Sequence, residues 1–550
     1  MTGGWLLSAL LALPLAGMAA VIAAPARLAR YVAFGVGAVT FLASLPLWFA
    51  FAPGVEAFQF EASVPWVPEW GISYAVGVDG ISVLLVLLTT LLMPITMLGS
   101  WRYIERKEKT FYSMMLLLET GVIGVFVALD LFLFFVFWEL VLVPMYLIIG
   151  IWGGERRVYA AIKFFLFTAA GSLLMLVGIL YLFFKYQALS GTPSFAYVDL
   201  LQVPLTLEEQ LWLFGAFALA FAIKVPLFPL HTWLPDAHVE APTPGSVILA
   251  AVLLKMGTYG FVRFLLPFFP LAATHPDVVT LLMVLGVTGI LYAAWVAAVQ
   301  PDAKKLIAYT SVAHMGFVVI GVFALSAIGL QGAMIVMLSH GITTGAMFLL
   351  LGMLYERRHT RLIGDFGGLA AVTPMLAAAF VITALASIGL PGTSGFVGEF
   401  LALLGTFETH PVMAIVATLG VIFAAYYMLP MVQRIFFGRV DRPENERLAD
   451  LSVREGLVLA PLLALMIWMG VQPGPFLRRM EASVEAVVAR VQREALVAPL
   501  AAERAGPVEV RLSGAEDAAG ARAAGPEDGA GAPADDEAAA ARLAAEDPAR

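Results

Sequence analysis

The sequence predicts an all-α, polytopic membrane protein with about fourteen transmembrane helices. Of its 550 residues, 61% are hydrophobic and 13% are charged, whereas soluble proteins carry about 25% Asp, Glu, Lys and Arg. The mean hydropathy is +0.89, and apolar runs of roughly 20 residues, the length that crosses a bilayer, recur along the chain. These observations exclude a soluble multidomain protein.

Fourteen apolar runs are long enough to be predicted as spans. The first could also be a signal peptide, but the basic residues that such a peptide needs before Trp5 are missing, so a span is favoured. The predicted spans cover about 4–24, 31–52, 78–100, 111–129, 131–152, 160–184, 210–230, 245–267, 278–299, 304–326, 328–355, 368–390, 411–433 and 455–472.

The spans after the first three, which occupy residues 1–110, divide into two sets of five. Spans 4–8 cover 111–267 and spans 9–13 cover 278–433, and the fourth member of each set is interrupted by proline. Because five is odd, the second set would be inverted in the membrane relative to the first. Paired interrupted helices in two halves are the best sequence indicator of an ion path in a transporter.

Basic residues predict the orientation. The loops on one side carry nineteen Lys and Arg, and those on the other side carry only Lys185 and Arg263. By the positive-inside rule both termini lie outside the cytoplasm. After span 14, residues 476–495 predict an amphipathic helix, and the acidic Ala/Gly/Pro tail at 499–550 predicts disorder.

Overall charge and cysteine content exclude several functions. The net charge is −8, but most of it lies in the tail, so the nearly neutral membrane body argues against nucleic acid as a partner. The chain has no cysteine, which excludes disulfides, iron–sulfur clusters and thiolate catalysis. Any electron transfer must therefore take place in another protein.

Acidic side chains inside the apolar runs are candidate functional groups, because an ionisable group in hydrocarbon costs at least about 2.5–3.5 kcal/mol. Glu139 lies well inside span 5, in the string Phe-Trp-Glu-Leu. Glu119 lies in the middle of span 4, where a structural hydrogen-bonding role and a functional role are equally open. Asp79 and Asp130 fall at span ends and are interpreted as ordinary interfacial carboxylates.

Two lysines occupy the deepest basic positions. Lys224 follows the apolar run 211–223, and Lys255 lies about halfway through span 8. The chain has twenty-four Arg and only eight Lys, so lysine is not its usual cation. A desolvated lysine, unlike arginine, can exchange its proton near neutral pH. The alternative, that each lysine only neutralises a buried carboxylate, would leave an excess cation, so proton exchange is favoured.

Both interrupted helices lie close to these charges. Two prolines follow Lys224 within five residues, so the carbonyls of Ala222 and Val225 lose their backbone donors. In a bilayer the freed carbonyls need a protein or water partner, which places polar groups beside the lysine. A packing kink would explain the prolines equally well. Span 12 repeats the interruption at 390–395, with Glu399 shortly beyond it.

Histidines are the third group of candidates. His314 and His340 lie in adjacent spans 10 and 11, and histidine relays protons near neutral pH. A hydrogen-bonded core histidine and a bis-histidine haem site are the alternatives, and a visible absorption spectrum would detect the haem. His231, Asp236 and His238, after the span 7 interruption, form only a weak metal pattern and are predicted to line a loop or channel mouth.

Together these motifs resemble those of the antiporter-like membrane subunits of respiratory NADH:quinone oxidoreductase, complex I. The resemblance covers roughly residues 70–475. Within that family the span 5 string is most similar to chain M, the equivalent of mitochondrial subunit 4, although the polar tail departs from the usual chain M length. The matching strings are 137–140, 144–154, 224–226, 231–238, 241–243, 254–255, 304–309, 311–316 and 395–400.

The resemblance implies proton-transfer roles for Glu139, Lys224, Lys255, Glu399, His314 and His340. The first two would form a charge pair between spans 5 and 7, the span 8 lysine would be the central relay, and the span 12 glutamate would face the exit side. The histidines would lie on a hydrated axis linking the two halves. The resemblance also implies that the chain sits between the L and N chains, has no redox centre or cofactor of its own, and binds neither NADH nor quinone.

The expected function is proton translocation, driven by redox chemistry in partner subunits. One alternative is a subunit of a multi-chain sodium/proton antiporter, which shares the ancestral fold. Another is a passive scaffold that seals and anchors the membrane arm. Neighbouring genes would distinguish the first alternative, and tolerance of alanine at Lys224 and Lys255 would indicate the second.

Overall fold

A computed structural model describes residues 3–505 of the chain, with side chains described as far as residue 496. It confirms the all-α membrane class, because eleven helical segments in the described part are long and apolar enough to cross a bilayer. Two shorter apolar helices, Val83–Gly99 and Pro374–Ser387, correspond to predicted spans 3 and 12. The exact number of spans stays a prediction, and the tail beyond residue 505 lies outside the described residues.

The N-terminal region combines helices with a two-stranded antiparallel sheet that the sequence analysis missed. The hairpin turns at Gly71, whose φ of 62° lies in the left-handed region and whose added Cβ would lie 2.1 Å from the Pro193 carbonyl oxygen. Only glycine fits this turn. The elements are α1 (Gly4–Ala23), α2 (Ala29–Ser44), α3 (Pro46–Phe49), β1 (Gln59–Val67), β2 (Ile72–Val78) and α4 (Val83–Gly99).

The region of predicted spans 4–8 contains more interruptions than the prolines indicated. Predicted span 5 is divided at Val141, and predicted span 8 contains π-helical turns at Leu249–Leu253 and Phe261–Leu265. The helices are α5 (Glu108–Val127), α6 (Leu131–Leu140), α7 (Leu142–Trp152), α8 (Arg157–Ser190), α9 (Tyr197–Leu200), α10 (Leu207–Lys224), α11 (Trp233–Glu240), α12 (Thr243–Ile248), α13 (Leu254–Gly260), α14 (Leu266–Phe268) and α15 (Pro270–Thr274).

Protein groups bind carbonyls that the break between α10 and α11 leaves without helical donors. The amide of Leu227 donates to the carbonyl of Ala222 at 2.7 Å. The indole nitrogen of Trp233, which is buried, donates to the carbonyl of Ile223 at 2.8 Å. Protein donors therefore satisfy this part of the broken backbone, as a bilayer requires.

The region of predicted spans 9–13 carries the second break, between α19 and α20. Its elements are α16 (Pro276–Ala298), α17 (Ala303–Phe323), α18 (Ala327–Arg358), α19 (Pro374–Ser387), α20 (Ser394–Thr409) and α21 (Pro411–Phe436), followed by α22 (Val453–Val471) and α23 (Gly474–Ala505). α23 therefore extends over the first residues of the tail that the sequence predicted to be disordered.

α23 lies against the ends of several helices through its apolar face. Met480 and Val484 are fully buried. The amide of Gly80, just before α4, donates to the hydroxyl of Ser483 at 2.9 Å. Arg490 donates to the carbonyls of Pro267 at 3.0 Å and Leu201 at 2.7 Å. The amphipathic helix is thus fixed to the same end of the molecule as the hairpin.

We expect Gly470→Ala to disturb the break between α19 and α20. An added Cβ at Gly470 would lie 2.3 Å from Cα of Thr393 and 2.4 Å from the carbonyl oxygen of Gly392, and such overpacking costs about 1–3 kcal/mol. Less assembled complex should survive mild heating on native gels. Gly456→Ala is the matched control in the same helix, because nothing lies within 4 Å of its Cβ position. Equal losses in both variants would contradict this account of the break.

Candidate proton-transfer site

Lys255 is fully buried and contacts His340 of α18. Its amine lies 2.6 Å from Nδ1 of His340 and donates to the carbonyl of Ala250 at 2.7 Å. Both ionisable side chains are at most 3% exposed. The π-helical turn at Leu249–Leu253 comes directly before α13, and such turns are frequent at functional sites. The lysine therefore contacts a carbonyl and an imidazole, and it forms no salt bridge among the described residues.

His314 of α17 and Glu399 of α20 form the second contact of the site. Nδ1 of His314 lies 2.9 Å from Oε1 of Glu399, and both side chains are 7% exposed. The rings of His314 and His340 have their centroids 5.7 Å apart. A cavity of about 10 Å³ lies against both histidines and Glu399, roughly the size that one water occupies. Four side chains from four helices thus form a nearly continuous polar line from Lys255 to Glu399.

Lys224 is buried as predicted, but it does not contact Glu139 directly. Its side chain is 1% exposed, and its amine lies 5.3 Å from the ring centre of Trp138 and 5.6 Å from that of Phe164. No hydrogen-bond partner of the amine, or of Oε1 of Glu139, is present among the described residues. Aromatic faces therefore surround the amine, and the expected direct charge pair is not formed in this structure.

Two basic groups that the sequence analysis placed outside the apolar core are buried. Lys304, counted there as a loop cation, is 6% exposed and donates to the carbonyl of Ala241 at 2.5 Å. His238 is fully buried and stacks on Phe348 at 4.7 Å. Its ring nitrogens have no partner within the described part of the chain. The prediction that His238 lines a loop or channel mouth is therefore wrong, because the residue lies in the helix α11 and is fully buried.

A polar cavity of about 280 Å³ lies next to these two groups. Its lining includes Glu240, Thr243, Lys304, Phe348 and Arg361. Thr243 begins the helical segment that carries Lys255, so the cavity opens at one end of that segment. Lys304 belongs to a pair of lysines that follows the helix-capping Asp302. This pattern is typical of a loop boundary, so the sequence gives no sign that Lys304 is buried.

Two carboxylates predicted to be interfacial are buried instead. Asp130 is fully buried and caps α6, accepting hydrogen bonds from the amides of Leu133 and Ser73 at 3.0 Å each. Asp79 is 3% exposed and pairs with Arg263, which the sequence analysis counted as a loop residue. The prediction that these carboxylates face the membrane interface is wrong. Each is buried and binds protein donors, and one donor of each comes from a distant part of the chain.

The remaining candidates give no metal site. Glu119 is fully buried, and neither of its carboxylate oxygens has a hydrogen-bond partner among the described residues, so a structural hydrogen-bonding role has no support. Asp236 pairs with Lys163 at 2.7 Å, and His231 stacks on Phe228. Over residues 3–505, no group of three or more His, Cys, Asp or Glu is arranged to hold a metal ion.

Comparisons with known proteins agree with this fold. Residues 128–424 match the family model described as NADH:quinone oxidoreductase/Mrp antiporter, transmembrane. Residues 39–124 match the amino terminus of NADH-ubiquinone oxidoreductase chain 4. The NADH-quinone oxidoreductase subunit M of Rhodobacter capsulatus is 47% identical over 487 residues, covering 85% of this chain and 93% of that protein.

Solved structures give the same result. A chain of respiratory complex I from Thermus thermophilus with bound NADH aligns with a TM-score of 0.81 at 37% identity, covering 88% of this chain and 99% of that chain. A chain of the Mrp complex from Dietzia sp. DQ12-45-1b aligns with a TM-score of 0.75 at 22% identity, covering 91% and 57%. The second similarity shows the fold alone.

The fold and the matched transmembrane region therefore define an antiporter-like membrane protein. Within that class, the chain belongs to the family of NADH-quinone oxidoreductase subunit M. The resemblance found in the sequence motifs is confirmed. The roles of individual side chains stay predictions.

We expect Glu399→Leu to destabilise the site more than Glu399→Gln. Glutamine can still pair with Nδ1 of His314, whereas leucine leaves that buried nitrogen without its partner, at a cost of about 1–3 kcal/mol. The measurement is the fraction of assembled complex that survives mild heating. If the leucine variant proves as stable as the glutamine variant, the contact between His314 and Glu399 does not stabilise the protein.

Proposed function

We propose that this chain is a proton-translocating subunit of the membrane arm of NADH:quinone oxidoreductase, in which redox chemistry in partner subunits drives the transfer. The observation that carries the proposal is the polar line from Lys255 through His340 and His314 to Glu399. Each member is buried and can bind or release a proton. Histidine and carboxylate side chains inside a membrane are characteristic of proton relays in pumps.

The line suits proton transfer because its contacts are short and its single gap is small. The 5.7 Å separation of the two histidine rings is the longest step, and a small cavity adjoins both of them. A water there would bridge the gap by hydrogen bonds. The proton on Lys255 would pass to His340, cross to His314 and reach Glu399.

Lys224 and Glu139 would control the loading of this line. The amine lies beside Trp138, the residue next to Glu139 in the chain, without contacting the carboxylate, so a movement of α6 relative to α10 would change the separation of the two charges. A close carboxylate favours the protonated amine, and its removal favours proton release. The division of predicted span 5 at Val141, two residues after Glu139, supplies a place for that movement.

The proposed partners and membrane location rest on the relatives of this chain and on its basic residues. The structure of the Thermus complex, in which a similar chain is one component, supports other complex I membrane subunits as partners, and we assign the L and N chains as the immediate neighbours. We place the chain in a bacterial inner membrane, because it is an apolar chain whose relatives include bacterial subunits M. We place both termini outside the cytoplasm on the distribution of its basic residues. We further propose that it binds no NADH, quinone or metal itself.

The alternative function is a subunit of a multi-chain sodium/proton antiporter. A chain of an Mrp complex shares the fold at 22% identity, whereas the subunit M relative is 47% identical. The greater identity favours the quinone oxidoreductase. A passive scaffold is disfavoured, because a scaffold has no need to bury two lysines without carboxylate contacts.

We expect Lys255→Ala to lower proton-coupled NADH:quinone turnover by about tenfold or more, because loss of a positioned proton-transfer group typically costs 10²–10⁴-fold. The measurement is turnover and proton uptake in vesicles that contain equal amounts of assembled complex. Lys305→Ala is the matched control, since that amine is partly exposed and lies outside the line. Unchanged proton-to-electron stoichiometry in the Lys255 variant would disprove the relay.

We expect Glu139→Gln to abolish pumping-coupled turnover as well, because an uncharged amide cannot change the proton affinity of Lys224. Glu444→Gln, at an exposed position in the short 3₁₀ helix Pro443–Asn445, serves as the control. The proposed control of Lys224 by Glu139 would have to be abandoned if the Glu139 variant pumped with normal stoichiometry.

A further inference from the structure

The helical segment that carries Lys255 also carries a buried arginine. Lys255, Tyr259 and Arg263 follow one another at four-residue spacing along one side of the segment. At a rise of about 1.5 Å per residue, Arg263 lies roughly 12 Å beyond the lysine along the axis. The segment ends soon afterwards, at Phe268. The arginine therefore lies between Lys255 and the end of the helical segment.

Protein groups surround this arginine closely. Arg263 pairs with Asp79, and its Nε donates to the hydroxyl of Tyr259 at 3.2 Å. Its guanidinium lies 5.1 Å from the ring centre of Phe58, 5.8 Å from that of Tyr197 and 5.5 Å from that of Tyr259. The two charged side chains are 4% and 5% exposed.

Asp79 is held in place as firmly as the arginine. Its Oδ1 accepts hydrogen bonds from the amides of Ile81 and Ser82 at 3.1 Å each. α23 covers the adjoining residues, through Ser483 at Gly80 and through Arg490 at Pro267. The ion pair thus lies beneath a helix that is fixed on both sides of it.

The two ends of the Lys255 segment differ in their access to solvent. The end at Thr243 opens on the polar cavity of about 280 Å³. The end at Arg263 is filled by the ion pair and its aromatic rings. Arginine keeps its charge under all physiological conditions and so cannot pass a proton on. A fixed arginine in a pore is also a known electrostatic barrier to protons and cations.

We infer that the pair of Arg263 and Asp79 is a proton seal. It closes one end of the segment, so that a proton on Lys255 leaves sideways through His340 and not directly along Tyr259 to the end of the segment at Phe268. This inference rests on the proposed function, because a seal matters only if Lys255 carries protons. It gives Arg263 a positioning role for the proton path, without a role in any transfer step.

The test uses the assembled complex in vesicles, with turnover blocked by a quinone-site inhibitor, and measures passive proton conductance. The double variant Asp79→Asn with Arg263→Gln removes both charges together, which avoids leaving one buried charge unpaired. We expect its conductance to rise by about tenfold, equivalent to lowering one barrier by about 1.4 kcal/mol. During turnover, its proton-to-electron ratio should fall while NADH oxidation continues.

The matched control combines Arg357→Gln with Glu455→Gln. It removes another buried ion pair, whose side chains are 12% and 3% exposed and which joins α18 to α22, away from the Lys255 segment. Its conductance should equal that of the unmodified complex. Arg263→His is a second variant, which serves if the double variant does not assemble. It keeps a cation beside Asp79 that, unlike arginine, can release its proton. We expect its passive proton conductance to rise as well.

Adding Lys255→Ala to the double variant separates a specific leak from general damage. The excess conductance should disappear, because the lysine supplies the protons that leak. An unchanged conductance in both the double variant and Arg263→His would overturn the seal, and so would a leak that persists without Lys255. Normal pumping by Lys255→Ala alone would instead contradict the proposed function, so the two failures are distinguishable.

Discussion

The structure depends on keeping amines in an environment that does not favour their charge. Lys224 and Lys255 are almost completely buried, and neither forms a salt bridge among the described residues. Aromatic rings surround the first amine, and a carbonyl and an imidazole contact the second. An unpaired buried charge is costly unless the group can become neutral. Lysine can become neutral in such a site, whereas arginine cannot.

Interrupted helices make such sites possible. A continuous α-helix satisfies its own backbone and offers a buried side chain no polar partner, whereas a break or a π-helical turn exposes carbonyls and changes the direction of the chain. The turn at Leu249–Leu253 precedes Lys255, the break after α10 follows Lys224, and the break after α19 precedes Glu399. Each interruption thus lies beside a group of the candidate site.

Arg263 differs from the buried lysines because its charge is paired. Arg263 is paired, hydrogen-bonded and surrounded by rings, so it is fixed in its charged form. The same helical segment therefore carries a cation that can release its proton and one that cannot. In the proposed path, their order along the segment would direct the proton sideways through the histidines of α17 and α18.

The sequence by itself determined the membrane class, the approximate positions of the spans, the two proline breaks and the family. Local composition and contiguous motifs determine these features, so they can be recognised without knowledge of contacts between distant residues. The sequence also identified a set of buried ionisable groups, because an ionisable residue within an apolar run can be recognised from the sequence alone. These are Lys224, Lys255, His314, His340 and Glu399.

Only the tertiary structure decided which of these groups touch. His340 contacts Lys255 and His314 contacts Glu399, in each case across 85 residues of sequence. It also buried Arg263, Asp79, His238 and Lys304, which lie at or near predicted span ends and therefore looked exposed. Burial at a span end depends on what folds over it, and here the hairpin, α23 and α11 come from distant or irregular parts of the chain.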